Sequence, residues 1–248
     1  MYDEPRFLGS GDSCMVVEFS DAIEMAANVR LQSLRRKLAA QDIKGIRESV
    51  PTYRSLSIHH DPIILPREKL ERIVQSALCG LGDEDDRERR ILVMPVAYGG
   101  ENGPDMANVC SHTGLDEEEV IKRHTSRDCY CYMLGFTPGF SYLGGLDESL
   151  ATPRLKNPRT LIPAGSVGIA GKQTGAYSID SPGGWQLIGR TPLKLFDPDD
   201  PKNPTLIDAG DWIRFSSISD DEYKRIKREA DACGYAPERR VETNAVQG

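Results

Sequence analysis

The grammar of this chain changes near residue 130, and that change limits its folds more than any other feature. Eleven glycines stand between Gly135 and Gly189, interleaved with prolines and with apolar runs only a few residues long. Runs of that length, broken by turn formers at close intervals, make many short strands rather than helices. A sheet of many short strands must dispose of its edges. The residues from Tyr130 to Asp197 are therefore expected to form a closed or nearly closed β-barrel.

The first ninety residues alternate strands with helices. Cys14 to Phe19 is an apolar run that ends at Ser20-Asp21, where Asp21 and Glu24 resemble a capping box. Ile23, Ala27, Leu31, Leu34 and Leu38 then recur on one helical face. Tyr53, Leu56 and Ile58, alternating with Ser55, Ser57 and His59, read as a half-buried strand. Pro66 opens a second helix with Leu70, Ile73, Val74, Ala77 and Leu81 inward, and Gly80 and Gly82 can end it. These elements predict a small α/β sandwich with one sheet covered on one side.

The charge run from Gly82 to Arg90 has no apolar face and reads as a linker, so a domain boundary is expected there. Ile91 to Val96 is a buried strand whose sheet the sequence leaves open. A third helix starts at the Asp116 cap, with Glu119 in the reciprocal position, and runs to His124. A last helix starts at Ser219, with Glu222 three residues on, and the final dozen residues are expected to fray. The predicted layout is an α/β domain over 1–90, a barrel domain over 91–220, and a helix and tail over 221–248.

Several functions are disfavoured at this level. A net charge of -7 argues against nucleic acid and anionic lipid as partners. No apolar run approaches the roughly 18 residues of a membrane span, and the first residues lack a secretory pattern, so a cytoplasmic protein is expected. Cys129 and Cys131 have a poor zinc spacing and read as buried thiols on alternate strand positions; no metal is expected. Gly165 to Thr174 superficially matches a phosphate-binding loop. It has five residues between its glycines instead of four, and Gln173 separates Lys172 from Thr174.

The polar residues of the second half fit recognition of an anion. From residue 130 to 197 there are six Lys or Arg and four Asp or Glu, a local balance of +2. Arg154 and Arg159 each follow a proline, and a guanidinium fork suits a carboxylate or phosphate. The alternative is that these arginines pair with nearby acids and hold loops. Gly183-Gly184 can offer backbone amides as an anion-binding nest, and Trp185 can instead plug the end of the barrel. His124, at a helix C-terminus, reads from position alone as a cap or satisfied residue.

Five stretches are more specific: YGGENGPDM (98–106), GFTPGFSYLGGLD (135–147), PRLKNPR (153–159), IPAGSVGIAGKQTGAY (162–177) and SPGGWQLIGRTPLKLFDP (181–198). In these the chain resembles the family of B-type 5-oxoprolinase subunits, also called allophanate hydrolase subunit 1 or the sporulation-kinase inhibitor family, from about residue 5 to 220. The resemblance implies an α+β protein in which the small N-terminal α/β domain precedes a cyclophilin-like β-barrel. It implies one component of an ATP-dependent complex that opens 5-oxoproline, a small anionic substrate, to glutamate. The partners would be a C-type homologous subunit and an A-type subunit, with ATP and magnesium used at the level of the complex and the lone chain inactive.

His124, Gln173, Thr174 and Tyr177 match the family pattern and are taken as catalytic candidates, Gln173 and Thr174 as donors to developing negative charge and His124 or Tyr177 to move a proton. Asp105, Tyr132, Arg154, Arg159 and Trp185, which also match the family pattern, are taken as substrate-binding candidates, and Gly183 and Gly184 join them for their backbone amides; the match itself fixes no individual role. Two departures from the family pattern stand out: Asn102 replaces an aromatic before Gly103, and Ala176 and Ser178 flank Tyr177 in place of Ile and Pro. Alternative roles implied by the resemblance are inhibition of a sensor histidine kinase and membership of a urea- or allophanate-processing complex. The Ser-Ser-Lys amidase core and the biotin-bearing Met-Lys-Met that the latter uses are not visible in this sequence.

Overall fold

The computed structural model describes residues 1–81, 89–232 and 234–242. The chain divides into two compact units, one within Met1–Glu88 and the other within Arg89–Ala245. Gly82 to Glu88, which make up most of the expected linker, lie outside the described residues, as do Cys233 and residues 243–248.

The first unit contains β1 (Arg6–Gly9), β2 (Cys14–Glu18), α1 (Met25–Ala39), β3 (Ile46–Pro51), β4 (Ser55–His60) and α2 (Arg67–Leu78). The strands form an antiparallel sheet in the order β1-β2-β4-β3. Period-two alternation decides its faces. Met15, Val17, Leu56 and Ile58 are fully buried in one core with Leu31 and Leu70 from the helices. The α/β sandwich is therefore as expected, with three local differences. The Asp21 capping box does not form: α1 starts at Met25, and Ser20 Oγ instead bonds Glu24 Oε2 at 3.0 Å. That late start leaves Ile23 exposed. Tyr53 precedes β4 rather than joining it.

The second unit contains β5 (Arg89–Tyr98), α3 (Met106–Thr113), α4 (Glu117–Thr125), β6 (Asp128–Leu134), β7 (Ser141–Gly144), β8 (Arg159–Ile162), β9 (Ser166–Ala170), β10 (Gln173–Ala176), β11 (Ser181–Gly183), β12 (Gln186–Arg190), β13 (Trp212–Ser217), α5 (Asp220–Asp231) and β14 (Arg239–Glu242). Seven strands close a barrel in the order β12-β9-β10-β7-β6-β13-β5, with β5 pairing back to β12. The strand at 91–96 thus belongs to the barrel, where β5 runs parallel to β13 and antiparallel to β12. Outside the barrel wall, β8 and β11 form a two-stranded ribbon. The expected fraying of the last dozen residues does not hold for 239–242, because β14 completes the free edge of β5.

The starts of α4 and α5 obey their local signals. Asp116 accepts from Glu119 N at 2.8 Å and Ser219 accepts from Glu222 N at 3.2 Å. Cys129 and Cys131 are buried on the inner side of β6, and burial pushes the Cys129 thiol up to about 12. Asn102 donates to Asp220 Oδ1 at 3.0 Å and so ties the 98–106 turn to the first turn of α5.

Candidate active site

Five aromatic rings converge where the 135–140 loop meets the β8–β11 ribbon. Phe140 is the hub: its ring stands edge-on to Phe136, Tyr142, Tyr177 and Trp185 at centroid distances of 5.7, 5.1, 5.1 and 5.5 Å. They border a cavity of about 310 Å³, lined by Phe136, Phe140, Tyr142, Arg154, Tyr177 and Trp185. That volume lies at the lower end of the range for small-molecule sites. Gly183 and Gly184 complete one wall.

Arg154 is the one charged side chain on this lining, and no acid pairs with it among the described residues. It sits on the arm 153–159, whose three cations, Arg154, Lys156 and Arg159, have no acid among them. The arm is pinned at three points. Gln186 Nε2 donates to Pro153 O at 3.0 Å, Leu155 N donates to Gly184 O at 2.7 Å, and Arg159 Nη2 donates to Asp105 Oδ1 at 2.7 Å. Asp105 is itself buried and accepts from Leu187 N at 2.7 Å through its other oxygen. A cation held on a braced arm at a mostly apolar cavity is arranged to receive an anion with little reorganisation.

Tyr177 is fully buried, and its hydroxyl stands where a side chain on Gly183 would have to go: a Cβ there would lie 2.3 Å from it. Burial pushes this phenol up to about 12 against the opposing charges of Arg154 and Arg159 and a bond from the Trp185 amide. Tyr177 is thus a neutral hydrogen-bonding group at ordinary pH.

The residues expected from the sequence divide by location. Arg154, Tyr177, Gly183, Gly184 and Trp185 meet at the cavity. Asp105 and Arg159 face each other and brace its arm. His124 and Thr174 are inside the barrel. Thr174 Oγ1 donates its only proton to Gly168 O at 3.1 Å, so His124 Nε2 must donate to Thr174 at 2.8 Å. His124 Nδ1 then accepts from the Tyr98 hydroxyl at 2.7 Å. This chain of bonds is satisfied from end to end. Burial lowers the imidazole to about 3, and Phe215 packs against its ring. A neutral, enclosed histidine is not placed to move a proton at the cavity.

Gln173 lies on β10 opposite Ala170, outside the cavity lining. Tyr132 packs on Tyr130 at 5.0 Å, whose ring in turn meets Trp212 at 5.2 Å, and is also outside the cavity lining. The Gly183-Gly184 nest does not form: neither residue has the positive φ of a nest, and Gly183 is a strand residue paired with Arg159. Phe136 was not expected from the sequence. A Phe between Gly135 and Thr137 carries no period, and only its φ of +66° and its 61% exposure single it out.

The glycines of 165–174 serve the barrel. Gly165 N donates to Tyr177 O at 2.7 Å, Gly171 N donates to Thr152 O at 2.7 Å, and Gly171 turns the β9–β10 hairpin. No cradle of free amides is left there for a triphosphate, so these residues do not fit ATP. Among the described residues, no three His, Cys, Asp or Glu side chains are grouped to hold a metal ion, and no helix is long and apolar enough to cross a membrane.

Residues 5–207 match the family described as "Carboxyltransferase domain, subdomain C and D". The B-type 5-oxoprolinase subunit of Bacillus subtilis (strain 168) is 42% identical over 230 residues, covering 89% of this chain and 95% of that protein. The B-type 5-oxoprolinase subunit of Escherichia coli O157:H7 is 41% identical over 206 residues, 83% of this chain and 92% of that protein. Among solved structures, the protein TTHA0988 matches with a TM-score of 0.74 at 35% identity over 83% of this chain, which spans 40% of that longer polypeptide. The motifs, the barrel and these relatives agree: this chain belongs to the carboxyltransferase-domain family of subdomains C and D, together with the B-type 5-oxoprolinase subunits.

Proposed function

We propose that this chain is the B-type component of an ATP-dependent 5-oxoprolinase, and that its aromatic cavity supplies the carboxylate-binding part of a site shared with other subunits. The observation that carries the reading is Arg154, which has no acid partner among the described residues and stands on a braced arm at the one cationic point of the cavity. A guanidinium binds a carboxylate through two parallel donors, and in a partly dry site such a bond is worth about 1.5–3 kcal/mol. The compact ring of 5-oxoproline would lie against Phe140 and Trp185, with the Tyr177 hydroxyl and the nearby backbone as polar neighbours.

Opening a lactam needs more than this cavity holds. The phenol of Tyr177 is too weak an acid to ionise near neutrality, His124 is enclosed, and the glycine-rich hairpin does not cradle nucleotide. The remainder of the site is therefore assigned to a C-type homologous subunit and an A-type subunit, with ATP and magnesium held outside this cavity and the assembly in the cytoplasm. The test is to purify the chain alone and with each partner, and to assay 5-oxoproline-dependent phosphate release in every combination. Turnover is expected only from the assembled subunits. Full turnover by the lone chain would refute the shared site, and silence in every combination would favour a regulatory role instead.

A further inference from the structure

We propose that Phe136 is a ligand-binding residue, the ring that closes the open side of the cavity over a small carboxylate with a compact flat ring. The inference rests on the cavity being the substrate site, and it adds the residue that selects the substrate's shape.

Two unfavourable features coincide at Phe136. Its φ is +66°, and Thr137 N donates to Gly135 O at 2.8 Å across it, the strained form of the three-residue turn. The residue is also 61% exposed, while Phe140, Tyr177 and Trp185 in the same aromatic group are almost fully buried. Glycine adopts such a turn without strain and exposes no apolar surface. Its ring–ring contact with the core is a single edge-on one, at Phe140.

The surroundings hold the turn in place. Phe140 N donates to Thr137 O at 3.1 Å, Gly135 N donates to Phe140 O at 3.1 Å, and Ser178 Oγ donates to Pro138 O at 2.5 Å. A strained residue that its neighbours over-determine, at the rim of a cavity, marks a functional constraint. What the ring faces defines the ligand. Phe140 and Trp185 form an apolar floor and Arg154 is the one cation, so a flat ring between the aromatic faces with its carboxylate on Arg154 satisfies both.

The test compares Phe136→Gly and Phe136→Tyr with the parent, in the full chain and in the complex with its partner subunits. Calorimetry with 5-oxoproline reads the affinity, and thermal unfolding reads the stability. Phe136→Gly is expected to bind about three- to tenfold more weakly, the worth of one aromatic contact, while its melting temperature is no lower than the parent's. Phe136→Tyr, which keeps the ring, is expected to bind within about twofold of the parent. A purely structural role predicts the reverse for the glycine variant, loss of stability with affinity kept, and that result overturns the proposal. Weaker association with the partner subunits at unchanged affinity for 5-oxoproline also overturns it and makes Phe136 an interface residue. Arg154→Ala separates the two readings: if it weakens binding and the Phe136 variants do not, only this inference falls. If neither position matters, or the parent and the complex do not bind 5-oxoproline, the cavity is not the substrate site and both fall.

Discussion

Arg159 and Asp105, 54 residues apart, form a 2.7 Å ion pair in which the carboxylate is almost fully buried. Two residues that the sequence offers as substrate ligands thus pair with each other. Asp105 also takes the Leu187 amide at 2.7 Å, so one carboxylate ties the start of α3 to β8 and β12. The pair holds the arm on which Arg154 stands. Asp105→Ala strands a guanidinium and a buried amide, and is expected to cost about 2–4 kcal/mol in urea unfolding.

Arg154→Ala is expected to behave differently. With no acid partner to lose, it should leave unfolding free energy within about 0.5 kcal/mol of the parent. Affinity of the complex for 5-oxoproline should fall by about ten- to a hundredfold, measured by calorimetry.

His124 predicts a pH dependence of stability. Its folded pKa of about 3 lies below the ordinary value of 6.5, so between those values the unfolded state binds the extra proton. Stability is therefore full above about pH 6.5 and falls as pH drops toward 3, by up to about 1.4 kcal/mol per pH unit from this group. His124→Gln should flatten that part of the profile, read by urea titrations at a series of pH values. It should also lower stability near neutrality, because Tyr98 and Thr174 lose a partner that fits both.

The adjacent glycines of the cavity wall should respond oppositely. A Cβ on Gly183 would meet the Tyr177 hydroxyl at 2.3 Å and Ile162 Cδ1 at 2.8 Å, whereas on Gly184 its nearest neighbour is Leu155 O at 3.6 Å. Gly183→Ala should destabilise by about 1–3 kcal/mol and displace Tyr177. Gly184→Ala should fold within about 0.5 kcal/mol of the parent, and thermal unfolding of the pair checks both.

Gln173, a candidate donor to developing negative charge, is tested by kinetics of the assembled complex. Gln173→Ala lowers kcat more than it raises KM if the side chain acts mainly in the transition state. A wild-type kcat would remove it from the mechanism.

The sequence by itself determined the elements and the architecture, because those follow from local chemistry. Asp116 and Ser219 cap their helices from signals three residues long, alternation in β2 and β4 sets which face is core, and the dense glycines and prolines after residue 130 leave little but a barrel. Where two local signals competed, the sequence misled: Asp21 and Glu24 look like a cap, but the helix starts four residues after Asp21, where the apolar stripe can reach the sheet. The tertiary structure alone decided which motif residues share a site. Arg154 and Arg159 are five residues apart and chemically alike, yet one faces the cavity while the other pairs with Asp105. Thr174 points into the barrel at His124, 50 residues away, because strand register and barrel closure fix which side of β10 it occupies. Periodicity and capping are properties of neighbouring residues, whereas a side chain's partner depends on which distant strand lies beside it.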